Sequence, residues 1–191
     1  MSRRRQIVIV LFAALFAAAL PACALAVPPP PPAAETAYHR IDLPGGEGKS
    51  FPYTVEVPEG WQVRQVPDSP ALWIGPADAE PPRDPRLIFV RLSLADVSDA
   101  EKTAATIRSN VAKGATQDAT VPLVEVHDLG GVKGVLVRMD SGTGDKARST
   151  LALKLPLEKG GVDFMASGPR AEFEKMLPTY QRILLSVRRH G

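Results

Sequence analysis

The sequence has almost no cysteine: Cys23 is the only one among 191 residues. A disulfide needs two cysteines, so no intramolecular disulfide can form. A domain of this chain must therefore be stabilised by its packed core alone, even in an oxidising compartment.

Acidic residues are absent from the first 34 positions, and the first one is Glu35. Three arginines at positions 3–5 precede an uncharged apolar run over residues 7–20, which is followed by small residues. This is the layout of a secretory signal peptide, which we predict for residues 1–26. We therefore expect an exported protein of the periplasm or cell envelope. The run is shorter than the roughly 20 apolar residues of a membrane span, so an uncleaved anchor is the minor alternative.

The predicted signal peptide can end in two ways. Ala24-Leu25-Ala26 has small residues at both positions that signal peptidase reads, which predicts cleavage between Ala26 and Val27. Alternatively, Leu20-Pro21-Ala22-Cys23 resembles a bacterial lipobox, in which Cys23 is lipidated and holds the protein on the membrane. The lipobox usually has a small or aliphatic residue where Pro21 stands, so we favour free secretion.

Excess positive charge is confined to the predicted signal peptide. The whole chain has a formal charge of +2, from 23 basic and 21 acidic residues. Without the three leader arginines, 20 basic residues remain against the same 21 acidic ones, which gives −1. A basic nucleic-acid-binding surface is therefore not expected.

Proline is concentrated in two places. Five consecutive prolines at positions 28–32 favour an extended polyproline II spacer, and we predict a Pro-rich flexible linker over residues 27–47. Residues 76–85 contain four more prolines and are predicted to form a loop.

The remainder, residues 48–191, has the periodicity of one α/β domain. Apolar residues alternate in predicted strands over 51–57, 61–65, 71–75, 87–94, 121–127, 132–139, 149–155 and 162–167. Ser98-Asp99-Ala100-Glu101 is typical of a capping box that opens a helix, and Gly114 is its predicted end. A terminal helix carries an apolar stripe, interrupted at Pro178, where we expect a kink or a break. The stripe comprises Phe173, Met176, Leu177, Tyr180, Ile183, Leu184 and Val187. Short connections predict a mainly antiparallel sheet of about six or seven strands, covered by two helices in an α/β (α+β) sandwich.

Three segments of this domain resemble a known superfamily. They are Val57-Pro58-Glu59-Gly60-Trp61, Gly130-Gly131-Val132-Lys133-Gly134 and the terminal Ile183-Leu184-Leu185-Ser186-Val187-Arg188. Over residues 48–189 the chain resembles the PsbP/Mog-type α/β-sandwich superfamily, including small bacterial envelope (lipo)proteins of the DcrB and LpqN kind. The resemblance implies a non-enzymatic accessory or binding domain, and none of the superfamily's metal sites can be placed on this sequence.

No motif in the sequence indicates catalysis, a cofactor or a metal. The nucleophile elbow G-x-S-x-G is absent, and His39, His127 and His190 lie far apart along the chain. We therefore assign no catalytic, cofactor-binding or metal-ligating residue. Of the two tryptophans, Trp61 is predicted to lie in the core, whereas Trp73, next to the Pro-rich loop, is the candidate partner surface.

The sequence thus predicts an exported, non-catalytic envelope domain that binds a protein or an apolar ligand. Its expected role is accessory, in envelope assembly, stress or transport. A small envelope hydrolase with an unrecognised site and a structural surface lipoprotein are the alternatives. A polar pocket with perturbed titrating groups would favour the hydrolase, and an apolar patch would favour the binding protein.

Overall fold

The computed structural model describes residues 36–44, 51–114 and 119–190. The predicted signal peptide, its cleavage site at Ala26 and Val27, and Cys23 lie outside these residues. Among the described helices, none is both long and apolar enough to cross a membrane.

Seven strands form the main sheet, and every pair of neighbours is antiparallel. This confirms the predicted α/β sandwich with a mainly antiparallel sheet. Their order across the sheet is β3-β4-β5-β9-β8-β7-β6. The strands are β3 (Trp61–Gln65), β4 (Leu72–Pro76), β5 (Ile88–Ser93), β6 (Ala119–Asp128), β7 (Lys133–Ser141), β8 (Arg148–Pro156) and β9 (Gly161–Pro169).

A second sheet of three strands was not predicted. It consists of β1 (Tyr38–Asp42), β2 (Tyr53–Pro58) and the short β10 (Arg188–Arg189), with β2 in the middle. The predicted linker over 27–47 was therefore wrong for β1, and the domain begins before residue 48. The flanking prolines and glycines suggested a spacer, but Ile41 packs on the core and Leu43 is buried in it.

The first helix, α1 (Ala100–Ala112), begins one residue later than the capping-box pattern indicates. Asp99 rather than Ser98 is its N-cap, since the Asp99 carboxylate accepts a hydrogen bond from the Lys102 amide at 2.9 Å. Gly114 follows the helix with φ +73°, a conformation that favours glycine.

The second helix, α2 (Arg170–Leu185), runs through Pro178 without a break. The expected break was therefore wrong. Pro178 is exposed, so its ring faces solvent, and the apolar residues on either side of it keep the helix on the sheet.

The two helices cover opposite faces of the main sheet. We call the inner face the one that packs on α2 and the three-stranded sheet, and the outer face the one that packs on α1. The inner face contains the main core, with Phe164, Leu153 and Ile88 fully buried. Trp61 packs against this core, as predicted. The expected alternation in β5 stops early, because Leu94 lies beyond the last strand residue and is fully exposed.

Candidate functional site

The outer face of the sheet carries a row of large side chains that the strand register aligns. Arg64 lies opposite Trp73, Trp73 opposite Phe89, and Phe89 opposite Met165. The row continues from Met165 to Ala152 on β8. Side chains of one row point to the same face, so four neighbouring strands present one continuous apolar surface.

Two aromatic rings form the centre of this row. The ring centroids of Trp73 and Phe89 are 4.4 Å apart, and their planes are tilted by 36°. Both side chains, and that of Met165 beside them, are only half-buried. We call Trp73, Phe89 and Met165 the aromatic platform. The ring pair holds a flat apolar surface in place, at a benefit of about 0.5–1.5 kcal/mol beyond its burial.

The helix on the outer face leaves the aromatic platform uncovered among the described residues. Ala100 and Ala104 of α1 pack on Val135 of β7, with Val124 and Val126 of β6 close by. The other helix, α2, packs on the inner face. In the part of the chain that the structure describes, no helix packs extensively over the outer side of β3, β4 and β5.

The strands around the aromatic platform carry an excess of positive charge. In β3, β4, β5, β8 and β9, four residues are basic and one is acidic, and the register places all five on the outer face. They are Arg64, Arg91, Arg148, Lys154 and Asp163.

Asp163 forms a hydrogen-bonded ion pair with only one of these cations, Lys154. Its side chain is 3% exposed and accepts a hydrogen bond from Lys154 Nζ at 2.9 Å. Arg91 lies 3.7 Å from the other carboxylate oxygen and remains 52% exposed. Arg91 is therefore available to an anionic group that approaches the aromatic platform.

A groove follows the side of α1 that faces the uncovered part of the sheet. It is open, has a volume of about 410 Å³, and has Lys154 among its lining residues. Thr103, Thr106 and Ile107 line it from the helix, and residues 95–99 line it from the loop before the helix. The outer face thus combines the aromatic platform, the exposed flank of α1 and the basic residues of the surrounding strands.

A second polar cluster lies in the loop between β4 and β5. Arg86 forms ion pairs with Asp84 at 2.6 Å and with Asp78 at 3.2 Å. Hydrogen bonds from the Arg86 side chain hold the pKa of Asp84 below its ordinary value. The hydroxyl of Tyr180 donates to the carbonyl of Pro85, and burial raises the pKa of Tyr180 to about 12. The two carboxylates are engaged within the loop by Arg86, and the phenol anchors the loop to α2.

The three histidines do not come together. His39, His127 and His190 each face a different carboxylate, those of Glu59, Glu125 and Asp42. In residues 36–44, 51–114 and 119–190, no group of three His, Cys, Asp or Glu side chains has the spacing of a metal site.

Of the residues singled out from the sequence, the structure describes Trp73 and places it in the aromatic platform. Sequence reasoning missed Phe89, Met165 and Arg91. Phe89 and Arg91 alternate with the buried Ile88 and Val90, which puts them on the other face of β5. That alternation was a usable signal, but the register that brings Met165 beside Phe89 is set by tertiary pairing.

Solved structures of other proteins resemble this arrangement of sheets and helices. The solution structure of cyanobacterial PsbP (CyanoP) from Synechocystis sp. PCC 6803 matches with a TM-score of 0.52 and 14% identity, over 82% of this chain and 94% of that one. The Ran-binding protein Mog1p of Saccharomyces cerevisiae matches with a TM-score of 0.50 and 13% identity, over 81% of this chain and 96% of that one.

The chain has a PsbP/Mog-type fold. The resemblance seen in the sequence is confirmed at this level. No family model matches the sequence, and no curated protein does. At such low identity the likeness concerns the PsbP/Mog-type fold alone, so the function has to be argued from the surface of this chain.

Proposed function

We propose that this protein is an exported, non-catalytic domain that binds another protein through the aromatic platform. The observation that carries the proposal is a half-buried, tilted Trp–Phe pair and a methionine on a sheet face beside Arg91, which remains 52% exposed in its ion pair with Asp163. Aromatic residues, methionine and arginine are the side chains enriched at protein–protein interfaces.

A protein partner fits this surface better than a small apolar ligand. Pockets for small apolar molecules typically enclose about 70–90% of the ligand surface. The groove beside α1 and the depression in the β4–β5 loop are open to solvent. The aromatic platform is a row across a sheet, and a broad, shallow surface of this kind buries area only against another large molecule.

The expected compartment rests on the sequence. The arginines, the apolar run and the small residues up to Ala26 support export, with Cys23 as the lipidated alternative. An envelope accessory role, in assembly, stress or transport, follows from that location and from the absence of a catalytic motif in the sequence. The fold shared with a Ran-binding protein supports binding as the activity class by analogy alone.

Affinity capture with matched variants tests the proposed function. Wild-type protein, Arg91→Glu, Phe89→Ser and Leu92→Ser would be tagged and recovered from native envelopes. Leu92 is the control because it is on the same strand, is 50% exposed and points to the opposite face. We expect one protein that co-purifies with the wild type and Leu92→Ser and is lost with both other variants.

Circular dichroism would establish that each variant is folded. A partner that all folded variants retain would show that binding uses another surface. A folded set that recovers no specific partner, combined with hydrolytic activity in the purified wild type, would instead support the hydrolase alternative.

A further inference from the structure

We infer that the partner presents an amphipathic helix with acidic flanks, which lies beside α1 across the aromatic platform. This inference rests on the proposed function and adds the shape and charge of the segment that is bound. Three features support it: the width of the uncovered sheet, the way in which α1 already packs, and the charge of the residues around the aromatic platform.

The uncovered part of the outer face is wide enough for another helix. Helix α1 packs on β6 and β7. Five strands remain, β8, β9, β5, β4 and β3, and the four spacings between them, at about 4.8 Å each, span roughly 19 Å. A helix with side chains is about 10 Å across, so a second helix beside α1 would extend the helical layer over the aromatic platform.

Helix α1 shows what such packing requires on this face. It contacts the sheet through Ala100, Ala104 and Ile107, which lie on one stripe at spacings of four and three residues. The groove wall formed by Thr103, Thr106 and Ile107 is the flank that a neighbouring helix would contact. A helix that packs here needs an apolar stripe toward Trp73 and Phe89.

Strand addition, the other common way to bind at a sheet, is hindered at the β6 edge. Pro122 has no amide hydrogen to donate, and the register shifts between Thr120 and Leu123. Arg108 of α1 also donates to the Val124 carbonyl at 2.6 Å, which occupies an acceptor on this edge strand. These features argue against strand addition at the β6 edge, the edge that lies next to α1.

The charged residues around the aromatic platform indicate which charge the partner's helix should carry. Four basic residues against one acidic residue leave the strands around the aromatic platform positive, and Arg91 is the more exposed of the two cations that pair with Asp163. The groove beside α1 is balanced in charge, since Asp96 and Asp99 line it together with Lys102 and Lys154. Glutamates beside the apolar stripe would meet the cations of the strands. Lysines in the same positions would be repelled, so the charge distinguishes partners.

A pair of synthetic helices tests the inference without knowledge of the natural partner. Both would be stapled peptides of about 14 residues, roughly 21 Å long, with leucines at i, i+3, i+4 and i+7. One carries glutamate flanks and the other lysine flanks. The readout is the indole N–H resonance of each tryptophan in the ¹⁵N-labelled protein, assigned with Trp73→Phe. Trp61, which packs against the inner core, is the internal control.

We expect the acidic helix to shift the Trp73 signal and leave the Trp61 signal in place. Its affinity should exceed that of the lysine-flanked helix by at least about fivefold, and Arg91→Glu should remove this preference. Equal binding of both helices, or a shift confined to Trp61, would overturn the inference. If envelope capture depends on the platform variants but the acidic helix leaves Trp73 unaffected, the proposed function stands and the helical partner is wrong. If both fail, the proposed function falls as well.

Discussion

Ile183 lies fully buried where α2 packs on the inner face of the sheet. Ile183→Ala removes buried methyl groups and leaves a cavity, so we expect a loss of about 2–5 kcal/mol in the free energy of unfolding. Urea denaturation followed by circular dichroism measures it. The matched control is Lys175→Ala on the exposed side of the same helix, expected within about 0.5 kcal/mol of the wild type.

The choice of control depends on a contact that the sequence did not reveal. Glu174 is exposed and looks neutral in the sequence, but its carboxylate accepts a hydrogen bond from Arg138 of β7. Arg138 in turn lies over the ring of Phe173.

If Ile183→Ala left the free energy of unfolding unchanged, α2 would not be held by the packing that the structure describes.

The loop between β4 and β5 is the element whose stability should depend on acid. The pKa of Asp84 is held below its ordinary value by hydrogen bonds from Arg86, so the ionised carboxylate stabilises the folded state. This contribution is present above the ordinary pKa of an aspartate and is lost as the pH falls through the lowered pKa of the folded state.

Asp84→Asn should therefore destabilise the protein by about 1–2 kcal/mol at neutral pH. The difference from the wild type should shrink as the pH falls from the ordinary pKa of an aspartate through the lowered pKa of Asp84 in the folded state. Urea denaturation at a series of pH values measures this, with Asp145→Asn in an exposed turn as the control. A difference independent of pH would mean that Asp84 acts through packing rather than charge.

At the level of elements, apolar periodicity predicted the helices and strands that the local sequence determines. The stripes of α1 and α2 and the alternation of β8 were readable because each of these elements buries one side. Strand β1 was missed because Tyr38–Asp42 is short and lies between prolines and glycines in the sequence, and because its pairing partner β2 begins only at Tyr53. β1 forms by pairing with β2, and the residues of β1 alone do not specify that pairing.

The candidate site was readable only in part for the same reason. Trp73 stood out as an aromatic residue next to a Pro-rich loop. Phe89 and Met165 belong to strands far apart in the sequence and meet only through the register of β4, β5 and β9. The excess of basic residues on one face likewise depends on which way each strand faces, since the total charge of the chain is close to balanced.

The whole molecule is expected to lose its first 26 residues on export. Intact-mass analysis of the protein recovered from the envelope should give the mass of a chain that begins at Val27, because Ala24 and Ala26 fit the cleavage pattern. A mass that begins at Cys23 and includes acyl chains would establish the lipidated alternative. The uncleaved mass of 20.5 kDa would contradict both.

At the scale of the whole molecule, we expect the partner to bind on the outer face of the sheet. The most direct measurement is light-induced cross-linking in cells from benzoylphenylalanine placed at Phe89 in the aromatic platform, compared with the same residue at Lys175 on the opposite side of the molecule. We predict a cross-linked protein from position 89 that is absent from position 175 and is diminished by Arg91→Glu. A partner that cross-links from position 175 and not from position 89 would contradict this expectation.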